Sequence, residues 1–206
     1  MKTIDPGPAT TRIRPLRALR GLATVIRDPE ETEAGAIMVG SLTGHSWERL
    51  FQRFATDEVG ARILDEGRRL DERLCDRASL AELPEHCLGR VYYEWTKREG
   101  ISATALLEIP QATTPGCHAS PAHERFALRE RVAHDLWHVL TGYGRDLLGE
   151  AALLQMMWIH TRNTGLLLPV TLSRLSYLTN PEGRHVLAQA RRRAHSCAWL
   201  PSIDWE

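Results

Sequence analysis

The sequence of 206 residues has neither a long apolar run nor an excess of charge of either sign. No segment approaches the roughly twenty apolar residues of a membrane span, and the N-terminal stretch has no apolar core long enough for a signal peptide. Lysine plus arginine number 26 and aspartate plus glutamate number 26, which gives no sign of a broad nucleic-acid-binding surface. We therefore expect a soluble or peripheral membrane protein without a nucleic-acid partner, in the cytoplasm or on the inner face of the membrane.

Paired cysteines and strand-like patterns are also missing. Cys75, Cys87, Cys117 and Cys197 are scattered without a CxxC pair, which argues against a cysteine zinc site and against a disulfide framework in a chain of this size. Alternation of apolar and polar residues is almost absent, and no internal repeat is visible. Because the length suits one domain with a sizeable core, we predict a single all-α domain.

Proline, asparagine, aspartate and glycine residues mark the ends of helical patterns along the chain. Pro6, Gly7 and Pro8 lie among polar residues and predict a disordered lead-in over residues 1–14, so that residues 15–206 form the helical domain. The predicted helices run from Pro15 to Ile26, from Asp57 to Leu70, from Pro84 to Gly100, from Pro121 to Thr141, from Asp146 to about Arg162, and from Pro181 to the arginines at 191–193.

The stretch "HDLWHVLTGYGRDLLGE", residues 134 to 150, concentrates metal-ligand residue types. On a helix His134 and His138 stand one turn apart, about 6 Å along the axis, so both imidazoles can reach one ion. Both project opposite the leucine and valine stripe of their helix, toward an expected cleft. Asp135 lies on the flank of the pair, and spacing leaves open whether it is a direct ligand or a partner that fixes an imidazole tautomer.

Glu150 shares a helical face with apolar residues such as Leu147 and Trp158, and burying it unpaired would cost several kcal/mol. A cation held by the two histidines would remove that cost, since the short turn after the first helix lets the second fold back beside it. We predict a metal site between two adjacent antiparallel helices. The residue types alone leave an alternative, in which Glu150 forms a salt bridge with Arg131 or Arg145.

The pattern His-Asp-x-x-His, eleven residues, then Glu resembles the signature of the ubiquinone (coenzyme Q) biosynthesis family named for its fourth protein. "ALRGLATVIRDPEET" resembles that family's opening helix, "LPEHCLGRVYYEW" its middle helix, and "DWE" at 204–206 the segment before its last helix. The likeness covers roughly residues 15–206. Family members usually continue beyond this point into a further helix, so we expect the dimer contacts or the closure of the lipid pocket to differ here.

This resemblance implies an all-helical metalloprotein whose divalent metal, usually taken as zinc, is held by His134, Asp135, His138 and Glu150. It also implies a polyprenylated quinone precursor as substrate, other quinone-biosynthesis proteins as partners, and a homodimer as an option. Family members have been assigned removal of the ring carboxylate of a polyprenylated hydroxybenzoate with hydroxylation at ring carbon one. An older assignment is a non-catalytic, isoprenoid-lipid-binding scaffold with a structural metal.

The resemblance therefore predicts a metal-dependent oxidative decarboxylase, with the scaffold as the alternative. Zinc cannot exchange electrons, and two histidines with carboxylates also suit iron, so the redox role of the metal stays open. A phosphohydrolase of the His-Asp doublet type is the enzymatic rival, but it needs a separate upstream histidine and a late aspartate. His118 and His123 are expected in a loop rich in proline and glycine, and Asp204 is the only aspartate after Asp146.

Several further residues have weaker functional interpretations. Arginines near the start and between 191 and 193 could touch anionic lipid headgroups, although such runs are more often merely solvated. Trp137, Trp158 and Trp199 could line a channel for an isoprenoid tail, although ordinary core packing explains each of them as well. The hydroxyl of Tyr143 could reach a substrate ring, but a turn tyrosine that caps the core is the simpler interpretation.

Overall fold

The computed structural model describes residues 12–28, 31–108 and 119–206. Within these ranges the chain is helical and contains no β-strand, which confirms the predicted all-α class. Most of the predicted lead-in lies outside the described residues, as do Cys117 and His118. The α-helices of the described part are α1 (Pro15–Arg27), α2 (Thr32–Thr43), α3 (Ser46–Thr56), α4 (Glu58–Asp65), α5 (Leu70–Cys75), α6 (Arg77–Glu82), α7 (Leu88–Glu99), α8 (Ala103–Glu108), α9 (Pro121–Thr141), α10 (Leu147–Thr161), α11 (Leu167–Ser176) and α12 (Pro181–Ser196).

Two of the predicted helices are wrong in their bounds. The segment predicted as one helix from Asp57 divides into α4 and α5, because Gly67 adopts a φ of 64° in the left-handed region and ends the first helix. Pro84 does not open α7. It lies in the preceding turn, where its own carbonyl oxygen accepts a hydrogen bond from the Cys87 N–H at 2.9 Å, and α7 begins at Leu88.

The hairpin of α1 and α2 is joined to the rest of the molecule by a 3-10 turn over Thr164–Leu166. The Thr164 hydroxyl lies 2.9 Å from the carbonyl oxygens of Leu42 and Thr43, which end α2. Gly165 is required at this junction, because a Cβ there would stand 2.1 Å from the Val39 carbonyl oxygen. The turn therefore fixes α2 against the end of α10 and the start of α11.

The helix that carries the predicted histidines, α9, runs through the middle of the protein. α5, α7, α8 and α10 all pack against it. The expectation that its histidines face a cleft opposite an apolar stripe is wrong for His138, which is only 2% exposed. Val132, Leu136 and Trp137 of α9 belong to the larger of the two hydrophobic cores of the described residues. None of the described helices is long and apolar enough to span a bilayer.

Candidate metal site

The structure brings His134, His138 and Glu150 together, as the sequence predicts. Their potential ligand atoms all lie within 4.8 Å of one another. His138 Nε2 is 3.1 Å from Glu150 Oε1, and His134 Nε2 is 3.7 Å from Glu150 Oε2. The two imidazole rings, with centroids 4.8 Å apart, thus face the two oxygens of one carboxylate.

The tautomer of His138 follows from its other ring nitrogen. His138 Nδ1 lies 2.9 Å from the backbone carbonyl oxygen of Tyr143. Because a carbonyl only accepts hydrogen bonds, Nδ1 carries the proton and donates it, and in the neutral ring Nε2 is left with a free lone pair. Tyr143 therefore contributes its backbone carbonyl to the site.

Asp135 has the same effect on His134. Asp135 Oδ1 lies 3.3 Å from His134 Nδ1, and the aspartate is buried, with 6% exposure. Asp135 is not in the cluster of three ligand atoms. Asp135 contacts the ring nitrogen of His134 that does not face Glu150. A carboxylate in this position orients a metal-binding histidine and fixes its tautomer, which is one of the two roles that spacing left open.

The polar atoms of the cluster do not satisfy one another. His138 Nε2 is buried without a hydrogen-bond partner, although a carboxylate oxygen stands 3.1 Å away. A lone pair that faces a carboxylate is repelled unless a cation lies between them. Two imidazole nitrogens and one carboxylate are ligands that zinc and iron accept, so the donor set fits a divalent metal ion.

Without a cation between the imidazoles and the carboxylate, protonation of an imidazole relieves this repulsion, so the charged forms of the cluster are favoured. Burial acts to raise the pKa of Glu150, but the contact with His138 and the positive charge of His134 hold the pKa of that carboxyl below its usual value. Burial acts to lower the pKa of His134, but the hydrogen bond to Asp135 and the charge of Glu150 raise it above its usual value. The carboxylate of Glu150 is therefore ionised at neutral pH and available as a ligand.

Glu150 sits in the first turn of α10, where the backbone is held tightly. The Asp146 side chain accepts from the N–H groups of Leu148 and Gly149 at 3.0 and 3.1 Å and so begins the helix. A Cβ at Gly149 would stand 2.1 Å from the Gly144 carbonyl oxygen, so only glycine lets the turn pack against α10. The sequence "LGE" thus places the glutamate rigidly.

The depth of Glu150 differs from the prediction. Its side chain is 33% exposed, and that of His134 is 27% exposed, whereas the side chain of His138 is 1% exposed. The carboxylate is not isolated among apolar residues, since Leu147 on the preceding turn is itself 69% exposed. The site is therefore closed at His138 and open to solvent beside His134 and Glu150.

Sequence reasoning did not identify two aromatic neighbours of the site on α7. The Trp95 ring stacks on the His138 ring at a centroid distance of 5.8 Å. The Tyr92 hydroxyl is buried without a hydrogen-bond partner. Its pKa is raised mainly by burial and, to a smaller extent, by the negative charge of Asp135. Tyr92 and Trp95 are three residues apart in the predicted middle helix, a spacing that indicates one common face but not that this face meets α9.

Glu130 lies on α9 one turn before His134, and its Oε1 is buried without a hydrogen-bond partner. Burial raises the pKa of this carboxyl to about 7, against the opposing charge of Arg129. The folded state thus holds the proton of Glu130 more tightly than the unfolded state does. The resulting stability is present below the ordinary pKa and is lost as pH rises through about 7.

We expect the Glu130→Gln variant to be more stable than the unmodified chain at pH 8, by about 1 to 2 kcal/mol, and little different at pH 5. Urea unfolding at the two pH values measures the difference. Glu58→Gln, at an exposed glutamate in the first turn of α4, is the control and should show no such pH dependence. A Glu130→Gln variant that loses stability from pH 5 to pH 8 as steeply as the unmodified chain would contradict the assignment.

The rival interpretations of other residues do not gain support. His123 lies in α9, not in a loop, and its ring contacts Ser120 Oγ at 2.8 Å and Glu48 Oε2 at 3.2 Å, far along the helix from His134. Trp137 is 1% exposed and packs in the core. The Trp199 indole donates to the His160 carbonyl at 2.7 Å. Packing and capping account for these side chains.

The helical fold and this cluster define an all-α protein with a histidine–carboxylate site that can hold a metal ion. A family model described as "Coenzyme Q (ubiquinone) biosynthesis protein Coq4" matches residues 14–206. The chain belongs to this family, which takes part in ubiquinone biosynthesis. A crystal structure of a Nostoc punctiforme protein named for ubiquinone biosynthesis shares the fold, with a TM-score of 0.65 at 17% identity over 92% of this chain and 87% of that one.

Curated relatives carry the same family name. The Eremothecium gossypii protein "Ubiquinone biosynthesis protein COQ4, mitochondrial" is 32% identical over 51% of this chain and 31% of its own length. The Anopheles gambiae homologue is 28% identical over 68% of this chain and 46% of its own length. The Schizosaccharomyces japonicus protein is 27% identical over 82% and 70% respectively. The chain thus spans less than half the length of the first two of these relatives.

Proposed function

We propose that the chain is a metal-dependent enzyme of ubiquinone biosynthesis that removes the ring carboxylate of a polyprenylated hydroxybenzoate as carbon dioxide, with hydroxylation at ring carbon one and dioxygen as the two-electron oxidant, which leaves as hydrogen peroxide. The observation that carries the proposal is the pair of imidazole nitrogens that face the two oxygens of the Glu150 carboxylate. Membership of the family supplies the pathway. The exposed side of the site supplies a place for a substrate.

His134, His138 and Glu150 would hold the ion, and Asp135 would orient His134 without binding it. A divalent cation here would supply Lewis-acid chemistry, drawing in the substrate carboxylate and stabilising the negative charge that develops as carbon dioxide leaves. Zinc is the first choice for this donor set. Iron is the alternative where the hydroxylation occurs at the same centre, because zinc does not exchange electrons.

The protein's own residues prepare the site in advance. The Tyr143 carbonyl and the Asp135 carboxylate hold the two imidazoles in the tautomer that presents Nε2. Trp95 covers the ring of His138 and excludes water from that side. Groups fixed before the substrate arrives need no reorganisation during reaction, which is how a rigid helical scaffold contributes to rate.

A structural ion in a scaffold protein is the alternative function. Four protein ligands and no exposed side would favour it, whereas the 33% exposure of Glu150 favours a catalytic site. For either function we propose the same partners, which are a polyprenylated quinone precursor and other quinone-biosynthesis proteins. We also propose that the protein forms a homodimer and contacts the inner face of the membrane.

The test is complementation of cells whose own protein of this family has been deleted. Cells that carry Glu150→Ala should accumulate the prenylated ring precursor that still bears its carboxylate and should lose most of their quinone, whereas cells with the unmodified chain should not. Lipid extracts analysed by mass spectrometry measure both compounds. Glu182→Ala, at an exposed glutamate of α12, is the matched control and should restore quinone fully.

Normal quinone in cells with a metal-free Glu150→Ala protein would contradict the catalytic proposal and favour the scaffold. Loss of quinone without the carboxylated precursor would place the chain at a different step of the pathway. Immunoblotting for equal protein levels separates both results from a failure to fold.

A further inference from the structure

The helix α1 carries a row of apolar side chains on its solvent side. Leu16 is 73% exposed, Leu19 55% and Ile26 71%, and Ala23 between them is also exposed. Spacings of three, four and three residues put all four on one helical face. Single exposed leucines are ordinary on protein surfaces, but a continuous apolar row marks a surface that meets a partner.

This row cannot be buried by rotating α1, because the opposite face is fixed on α2. Ala18 and Gly21 are the buried residues of α1. A Cβ at Gly21 would stand 2.8 Å from the Ala34 carbonyl oxygen, so the two helices are in close contact there. The Arg14 N–H also donates to the Ser41 carbonyl at 2.8 Å and anchors the start of α1. The exposed row is therefore a feature of the folded protein.

The charges around the row identify its partner. Although the whole chain has a net charge of zero, residues 12–27 contain no aspartate or glutamate. Arg20 and Arg27 each follow an exposed residue of the row by four positions and so lie beside it. The arginines of the segment are Arg12, Arg14, Arg17, Arg20 and Arg27.

An apolar face bordered by arginines fits a bilayer surface with anionic headgroups. The apolar side chains can enter the boundary between headgroups and acyl chains while the guanidinium groups contact lipid phosphates. A second copy of the chain fits less well, since a twofold contact through α1 would bring two basic faces together. The arginines at 191–193 are a weaker candidate, because Arg193 already donates to the Thr141 carbonyl and lies over the Tyr143 ring.

We propose that α1 lies in the plane of an anionic membrane surface, with Leu16, Leu19 and Ile26 inserted among the lipids. The helix of 13 residues is about 20 Å long, which suits a surface-bound segment and not a span. This inference assigns to α1 the membrane contact proposed above, and it does not rest on the metal site or on the proposed reaction. It would bring the protein to the place where an isoprenoid-tailed substrate is dissolved.

The test is flotation of the full chain with lipid vesicles. The protein should bind vesicles of phosphatidylcholine and phosphatidylglycerol, bind pure phosphatidylcholine vesicles at least about tenfold more weakly, and lose affinity at high salt. Changing Leu16, Leu19 and Ile26 together to serine should weaken binding to the anionic vesicles at least about tenfold. Changing Arg17, Arg20 and Arg27 to glutamine should remove the preference for anionic lipid.

The matched control replaces three leucines of similar exposure at and after α11. Leu167, Leu175 and Leu178 are 42%, 60% and 63% exposed, and their triple serine variant should bind vesicles as the unmodified chain does. Equal weakening in this control, or unchanged binding in the α1 serine variant, would overturn the proposal. So would a failure of the unmodified chain to bind anionic vesicles, or a dimer in sedimentation experiments that the α1 serine variant dissociates. Circular dichroism checks that each variant is folded.

Discussion

Replacing His138 with alanine is expected to leave the protein without a bound divalent metal ion. The change removes one of the two imidazole nitrogens of the cluster and leaves Glu150 with His134 alone, 3.7 Å away. Removing a group that only orients a metal ligand typically costs tenfold to 100-fold in affinity, so loss of the ligand itself should cost more than about 100-fold. Metal content after purification without chelators, followed by zinc titration, measures the effect.

His185→Ala is the matched control, because His185 is an exposed histidine on α12, away from α9. It should keep the metal content of the unmodified chain. Since His138 is buried and its loss leaves a cavity, Glu150→Gln provides a second variant at a partly exposed position that removes the carboxylate charge. Stoichiometric metal in both His138→Ala and Glu150→Gln, in folded protein, would refute the assignment of the site.

The sequence was sufficient to locate α9 and α10 because residues with strong local preferences mark their ends. Pro121 opens α9, and Gly142, with a φ of 74°, ends it. Asp146 caps α10 with its side chain. A short turn between two such helices makes them neighbours, so the pairing of His134 and His138 with Glu150 could be predicted from spacing alone.

The same reasoning missed five helices of the described part, namely α2, α3, α6, α8 and α11, and α2 shows one reason. The sequence of α2, TEAGAIMVGSLT, is apolar on nearly all sides and has no helical period. Such a segment becomes a helix because other elements cover it, here α1 and the 3-10 turn at Thr164–Leu166, and local sequence does not contain that information. The division of α4 from α5 was missed for a related reason, since a glycine within an amphipathic pattern is often tolerated inside a helix.

Details of the site depended on tertiary structure in the same way. The role of Asp135 could not be decided from its position beside His134, because the outcome depends on the side-chain rotamer. The Tyr143 carbonyl reaches His138 only because the backbone turns at Gly142. The exposure of Glu150 depends on what covers the start of α10. Residue types thus predicted the cluster of His134, His138 and Glu150, and the surrounding fold determines which atoms orient the histidines and which side of the cluster is exposed.

Breaking the buried ion pair between Arg129 and Glu206 is expected to have the largest effect on stability. The Arg129 guanidinium donates to both carboxylate oxygens at 2.7 and 2.9 Å and to the Ile203 carbonyl at 2.6 Å. Both side chains are only 5% exposed. Arg129→Met would leave a buried carboxylate and a carbonyl without their donor, which should cost about 3 to 5 kcal/mol in the free energy of unfolding.

Urea unfolding of the two single variants and the double variant separates the pair from its surroundings. Each single variant leaves one buried charge without its partner, whereas the double variant Arg129→Met, Glu206→Leu removes both charges. The double variant should therefore lose less free energy of unfolding than the sum of the two single losses. The exposed pair of Arg62 and Asp204, 50% and 32% exposed, holds the same segment and is the control. Arg62→Met should cost below about 1 kcal/mol. Equal losses of unfolding free energy in Arg129→Met and Arg62→Met would show that the buried pair does not hold the segment after α12. A larger loss in Arg129→Met measures how much more the buried pair stabilises this segment than the exposed pair does.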